Sequence, residues 1–208
     1  PEEALTLSDR VLIINQGKKL ENAVAFFAIE FKRFHKYWPA QMWIYKLLAL
    51  LDFRILKATG RPCIGIEYTA MKNGPVPDVL YSNRYNGSVS DTFQFVSVGN
   101  HRFDIEAKKE PDLDYFSDRA IDEMKNLVRE FINSAKTLDD LISETHKLRS
   151  WNTAMEAAKK IGRESLLMEY ADEFEENPMT KEGDKLTFQE EHFVEFEKRR
   201  KEELEENV

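Results

Sequence analysis

Apolar residues in the first part of the chain recur at alternating intervals of four and three, which places them on one face of a helix. This face consists of Leu20, Val24, Phe27, Phe31 and Phe34. Charged residues cover much of the remaining surface, so the pattern predicts an amphipathic helix over residues 18–35. Its Phe-rich stripe could pack on the rest of the domain or on a second copy of the chain.

A second pattern predicts a central helix over residues 39–58. Pro39 suits the first helical position, where its missing N–H costs nothing. Gly60 can cap the C-terminal end in a left-handed conformation, and Pro62 prevents the helix from resuming. The helix is expected to be central because its apolar stripe is broad, with Ile44, Leu47, Leu48, Leu51 and Ile55.

Strand signals follow in the middle of the chain. Residues 66–71 are partly β-branched and aromatic and are bounded by turn residues, which is typical of a strand. Asn73-Gly74-Pro75 predicts a sharp turn in which Gly74 takes a positive φ. A short helix over residues 78–84 is expected next.

A hairpin is predicted further on, with arms at residues 93–98 and 102–107 and Gly99-Asn100 as its two-residue turn. Helical spacing returns after Ser117, and Thr137 with Asp140 resembles a capping box for a helix over residues 138–148.

Composition agrees with a packed domain. Of the 208 residues, 42% are hydrophobic and 12% aromatic, which is enough for one core. The charge-rich segment 187–207 carries only a thin apolar stripe. We therefore predict an α+β fold, a helix-dominated single domain with a small antiparallel β-sheet, a hairpin near 93–107 and a charged C-terminal helix.

The net charge of −8 is unevenly distributed. Residues 1–150 hold 21 basic and 21 acidic side chains, whereas residues 151–208 hold 9 and 17. The excess of acid argues against a general nucleic-acid-binding surface, which needs basic side chains to contact phosphates. It predicts a neutral body with an acidic C-terminal part.

Other features predict a cytoplasmic protein without a membrane partner. The single cysteine, Cys63, cannot form an internal disulfide. No apolar run approaches the length needed to cross a bilayer, and the acidic start Pro1-Glu2-Glu3 does not resemble a signal peptide.

Catalytic signals are weak. The histidines lie outside metal-binding patterns, and Cys63 between Pro62 and Ile64 reads as a small buried group. His146 is the most interesting histidine, because it lies five residues before Trp151 and is expected to turn toward that indole. The sequence therefore predicts neither an enzyme nor a cofactor.

The most specific cluster runs from residue 46 to residue 81. It contains Lys46-Leu47-Leu48 on an apolar helix, Thr59-Gly60-Arg61-Pro62 at the helix exit, Tyr68-Thr69-Ala70 in the strand, Gly74-Pro75-Val76 in the turn, and Tyr81. Downstream, Ser143-Glu144-Thr145-His146 precedes Trp151. The order and spacing of these motifs resemble those of the Panacea domain family, which includes SocA-like antitoxins and GepA-type phage-associated proteins.

This resemblance covers roughly residues 40–155 and implies a function. Members of the family bind and neutralise a toxin encoded beside them, and some resemble adaptors that deliver the toxin to a Clp-type protease. The implied partners are a cognate protein toxin and a protease of that type. The predicted organisation is an N-terminal extension (1–17), the antitoxin domain (18–160) and an acidic helical C-terminal extension (161–208), which could lie across a basic cleft of the toxin.

No catalytic residues come with the resemblance. The residues that would shape its scaffold or complete its motif are Lys46, Tyr68, Gly74, Pro75, Val76, His146 and Trp151. The expected contacts with the partner are Lys72, Asp78 and Tyr81, because they flank the turn. Two alternatives stay open, a hydrolase that uses His146 and a phage or mobile-element interaction protein without a cognate toxin.

Overall fold

A computed structural model describes residues 7–86 and 90–205 of the chain. Its helices are α1 (Leu7–His35), α2 (Gln41–Thr59), α3 (Asp78–Asn83), α4 (Asp118–Leu127), α5 (Leu138–Thr145), α6 (Arg149–Lys160) and α7 (Phe188–Glu205). Its strands are β1 (Tyr68–Met71), β2 (Gly74–Pro77), β3 (Phe93–Gly99), β4 (Arg102–Ala107) and β5 (Leu166–Leu167). The predicted helix-dominated α+β class is confirmed. No helix in the described ranges is both long enough and apolar enough to cross a membrane.

Helix α2 lies at the centre of the fold, as predicted. Its residues from Ile44 to Phe53 are all buried, and α1, α4, α5, α7, β2 and β4 pack around it. The predicted cap is present, because Gly60 has a φ of 80° and donates its N–H to the Leu56 carbonyl. A helix enclosed in this way organises the surrounding segments.

The strand β1 lies between β2 and β5 in an antiparallel sheet. Met71 is paired with Gly74, so Lys72 and Asn73 form the turn between β1 and β2. Residues 74–77, predicted in part as a turn, are therefore an edge strand. The edge position suits Pro75 and Pro77, which have no N–H to donate to a second neighbour.

Strands β3 and β4 form the predicted hairpin, but its turn is shifted by one residue. Gly99 is paired with Arg102, so the turn residues are Asn100 and His101 rather than Gly99-Asn100. Both have positive φ, 50° and 57°, which is the conformation that a two-residue hairpin turn requires. The register irregularity between Ser97 and Gly99 accounts for the shift.

Several element boundaries differ from those predicted. Helix α1 begins at Leu7 and runs without interruption past residue 18. The predicted helix 138–148 ends at Thr145, and α6 starts after Leu148. The capping box of Thr137 and Asp140 is present at the start of α5. Residues 1–6 and 206–208 of the predicted extensions lie outside the described residues.

The C-terminal segment packs on the rest of the domain. Phe193 of α7 is fully buried, and β5 pairs with β1. At the end of α2, His192 Nδ1 lies 3.2 Å from the Thr59 carbonyl oxygen, and Arg61 forms an ion pair with Glu195. The first turns of α7 are therefore part of the hydrophobic core, whereas the boundary predicted at residue 160 stays a prediction.

A buried carboxylate on α2 joins three of these segments. Asp52 is fully buried and accepts hydrogen bonds from Ile64 N at 2.5 Å, Gly65 N at 3.2 Å, Tyr68 Oη at 3.0 Å and Tyr170 Oη at 3.1 Å. Burial raises the pKa of Asp52 to about 6, while these hydrogen bonds act in the opposite direction. The carboxylate thus fixes the loop before β1, β1 itself and the segment after β5.

We expect Asp52→Asn to lower the free energy of unfolding by about 2–4 kcal/mol, because the amide NH₂ would face donors that then lack an acceptor. Urea denaturation followed by far-UV circular dichroism at pH 8 measures this change. Asp122→Asn, on the exposed surface of α4, is the matched control and should change stability by less than about 0.5 kcal/mol. Equal effects of the two substitutions would contradict the assignment.

Candidate functional site

A cavity of about 1000 Å³ opens beside the turn between β1 and β2. Its walls come from the N-terminal part of α2, the residues around that turn, α3, α6 and the segment 163–165. The lining is mainly apolar and includes three of the six methionines of the chain, Met42, Met71 and Met155. We call this cavity the turn cleft.

Lys46 supports the turn from within the protein. Its side chain is fully buried on α2, and Nζ donates a 2.7 Å hydrogen bond to the Pro75 carbonyl. Burial lowers the pKa of Lys46 to about 7, so the amine is partly neutral near physiological pH. This lysine therefore anchors the first residues of β2 and places its own stem in the wall of the turn cleft.

Gly74 occupies a position that has no room for a side chain. Its φ is 87°, a conformation that L side chains rarely adopt. A Cβ there would lie 2.5 Å from Thr145 Oγ1 and 3.3 Å from Lys46 Cε. Thr145 cannot retreat easily, because it is fully buried and donates its hydroxyl to the Ile142 carbonyl at 2.7 Å. The glycine of the motif is thus required by close packing.

The motif between α5 and α6 holds the other side of the turn. The rings of His146 and Trp151 stack with centroids 3.9 Å apart and an interplanar angle of 11°. Trp151 Nε1 donates to the Met71 carbonyl at 3.1 Å. The predicted contact between His146 and the indole is present, and it fixes the tryptophan against the end of β1.

The environment of His146 favours its neutral form. Burial lowers the pKa of the imidazole, the nearby charge of Lys46 lowers it further, and a hydrogen bond with the Lys72 backbone raises it. Its Nε2 is buried without a hydrogen-bond partner among the described residues. In the described ranges, no three His, Cys, Asp or Glu side chains are grouped as a metal site would require.

Six of the ten predicted site residues line the turn cleft: Lys46, Lys72, Gly74, Val76, Tyr81 and Trp151. Pro75 and His146 lie behind its wall through their contacts with Lys46 and Trp151. Tyr68 and Asp78 lie elsewhere. Tyr68 is fully buried and donates to Asp52, whereas Asp78 accepts a 2.7 Å hydrogen bond from Thr69 Oγ1.

The sequence analysis did not predict several cleft residues. Met42 lies one turn before Lys46 on α2, a spacing that would have placed it on the same side as the lysine, whereas Tyr45 directly precedes the lysine and has no such spacing. Lys159 and Arg163 lie in the cleft wall near the end of α6, and no pattern in the sequence connects them with the turn. Their place depends on how α6 packs against β1.

Comparison with known families identifies the class of protein. The family model described as "Antitoxin SocA-like, Panacea domain" matches residues 44–152, just over half of the chain. The matched range includes Lys46, Gly74, Thr145 and Trp151. The chain belongs to this family of SocA-like antitoxins with a Panacea domain. Among curated proteins and among solved structures, none matches the chain.

The packing around the turn predicts that Gly74→Ala destabilises the protein more than Gly99→Ala. Both glycines have a φ near 90°, but a Cβ at Gly99 would have no atom within 4 Å. The close approach to Thr145 should therefore lower the free energy of unfolding of Gly74→Ala by about 1–3 kcal/mol more than that of Gly99→Ala. Urea denaturation of both variants measures the difference. Equal losses would show that backbone conformation alone accounts for the glycine.

The burial of Lys46 predicts that stability rises with pH between 7 and 9. The folded chain releases this proton near pH 7, while the unfolded chain keeps it to about 10.5, so the unfolded state binds more protons in this window. The slope should approach 1.4 kcal/mol per pH unit at most. Above pH 9 Cys63 opposes this rise in stability. Burial raises the pKa of its thiol to about 12, so the folded chain keeps a proton that the unfolded chain releases.

Urea denaturation at several pH values measures this slope. Lys46→Met should remove it, whereas Lys72→Met, at an exposed position of the same turn, should keep it. A slope that persists in Lys46→Met would mean that another group titrates in this window.

Proposed function

We propose that this protein is an antitoxin that neutralises a cognate toxin by direct protein–protein binding at the turn cleft. One observation carries the proposal: six of the ten predicted motif and contact residues line this cleft, and two more support its wall. Lys46 and Thr145 hold the Gly74 turn from inside, and Trp151 forms part of the wall. A motif whose buried members shape an open apolar concavity is consistent with binding.

The outward-facing residues of the cleft have the character of an interface. Tyr81 lines the cleft, and the Arg84 guanidinium lies 3.5 Å from the centre of its ring. Aromatic side chains and arginine contribute most to binding energy at protein interfaces. Lys72 is exposed at the tip of the turn, where a bound partner would meet it first. We assign the contact to these residues and Trp151, and give Asp78 a structural role through Thr69.

We propose a binding module rather than an enzyme. His146 is stacked on Trp151, and no carboxylate among the described residues hydrogen-bonds to its ring. This arrangement provides the indole with a rigid support, and offers no acid–base pair for the hydrolase alternative. His146→Gln should therefore retain neutralisation if the variant remains folded, weakened only as far as the lost stack loosens Trp151, whereas a hydrolase would lose its activity.

Delivery of the toxin to a Clp-type protease is a further step that the family resemblance implies. We place both toxin binding and this delivery in the cytoplasm. Occlusion and degradation differ in one measurable quantity, the lifetime of the toxin. If the antitoxin shortens the toxin lifetime only in cells that contain the protease, the protein acts as an adaptor. If the lifetime is unchanged while growth recovers, binding alone neutralises the toxin.

Coexpression with the products of neighbouring genes tests the proposal. One product should stop growth when expressed alone, and it should copurify with this protein when growth is restored. If no neighbouring product is toxic, or if rescue occurs without a complex, the proposed function is wrong.

We expect Tyr81→Ala to weaken the complex by about tenfold or more, because it removes an aromatic anchor from the cleft. Tyr85→Ala is the matched control, since Tyr85 is exposed and does not line the cleft. Biolayer interferometry with the copurified toxin measures both dissociation constants. If the two substitutions weaken binding equally, the toxin does not use the turn cleft.

A further inference from the structure

The turn cleft is basic although the whole chain is acidic. Three exposed cationic side chains line it, Lys72, Lys159 and Arg163, against two carboxylates, Glu156 and Glu164, and the buried amine of Lys46 lies in its wall. The net charge of the chain is −8. A local excess of cations in an acidic protein attracts a ligand with negative charge.

The exposed cations at the rim of the turn cleft are not paired with acidic side chains of the described residues. Within the described residues, Lys72, Lys159 and Arg163 form no ion pair within 4 Å, whereas Lys57, Arg54 and Arg61 elsewhere on the surface do. The unpaired cations are therefore available to a ligand.

The start of α2 adds to this positive field. Gln41 and Met42 line the cleft in the first turn of the helix. That turn contains no acidic residue, and Ala40 provides no side-chain cap. The positive end of the helix dipole at this position is therefore not neutralised by the chain itself.

The apolar part of the cleft fits a large side chain. Met42, Met71 and Met155 are unbranched and adaptable, and they lie with Trp151 and Tyr45 around the same space. A volume of about 1000 Å³ is at the upper end of the range for small-molecule pockets. Such a volume accommodates several consecutive side chains of a peptide.

We propose, on the basis of the proposed function, that the turn cleft binds a segment of the toxin in which large apolar residues alternate with Asp or Glu. The apolar side chains enter the space between the methionines and Trp151, and the carboxylates lie at Lys72, Lys159 and Arg163. The acidic residues give charge complementarity and the apolar residues provide the buried area.

Three pools of fluorescein-labelled octapeptides test this inference by fluorescence anisotropy with the full chain. The first pool has Leu, Met, Phe or Trp at two positions, each followed by Asp or Glu. The second has Asn or Gln in place of the acids, and the third has Gly in place of the apolar residues. The first pool should bind at least about tenfold more tightly than either control, and its affinity should fall with added salt.

Two variants locate the binding site. Lys159→Glu should weaken binding of the first pool by about tenfold, and Lys160→Glu by less than about twofold. The two lysines are adjacent in the last turn of α6, both are exposed, and only Lys159 lines the cleft. Equal weakening, or equal binding of the acidic and amide pools, would overturn the inference, as would no binding by any pool.

These outcomes are distinct from those of the coexpression experiment. A toxin that copurifies while the peptide pools fail leaves the antitoxin function intact and overturns only the recognition of an acidic segment. Light scattering of the chain without peptide tests the other possible occupant of the turn cleft, a second copy of the chain. A dimer that dissociates in Lys159→Glu would show that a second copy occupies the cleft, and the inference would be wrong.

Discussion

The fold depends on the burial of α2, and above all on Asp52, the acidic side chain that this helix carries into the core. A buried carboxylate needs hydrogen-bond donors, since the cost of removing it from water is otherwise large. Ile64, Gly65 and Tyr68 supply them from the loop before β1 and from β1, and Tyr170 supplies one from the distant C-terminal segment. Satisfying one charged group therefore brings the strand β1 and the C-terminal segment onto the same helix.

Lys46 is a second buried polar group of α2, and its hydrogen bond positions the turn beside the cleft. It lies further toward the start of α2, and among the described residues its amine donates not to an acid but to the carbonyl of Pro75. This contact, with the close approach of Gly74 to Thr145, fixes the position of the turn relative to α2 and α5. The wall of the cleft beside the turn is thus set by packing in the core, whereas Lys72, Lys159 and Arg163 in the rest of the lining are exposed.

Charge is distributed differently along the sequence and in space. Along the chain the acidic excess lies after residue 150, while in space basic side chains gather at the turn cleft. The C-terminal segment that carries the excess also contributes Phe193 to the core. A role for its acidic residues in binding a toxin must therefore be separated from their place in a helix that the fold needs.

Local patterns along the chain predicted the central helix, its glycine cap, the two arms of the hairpin and the motif around Gly74, because these depend on residue spacing and on residues with restricted backbone conformations. The sequence also indicated that His146 and Trp151 meet, since they lie close in the chain. Two arrangements were visible only once the chain was folded: Lys159 and Arg163 join Lys72 at one cleft, and Asp52 accepts hydrogen bonds from four donors. The tertiary structure also decided that Tyr68 and Asp78 lie outside the cleft. These arrangements join residues distant in sequence, and packing of α6 and β1 around α2 determines them.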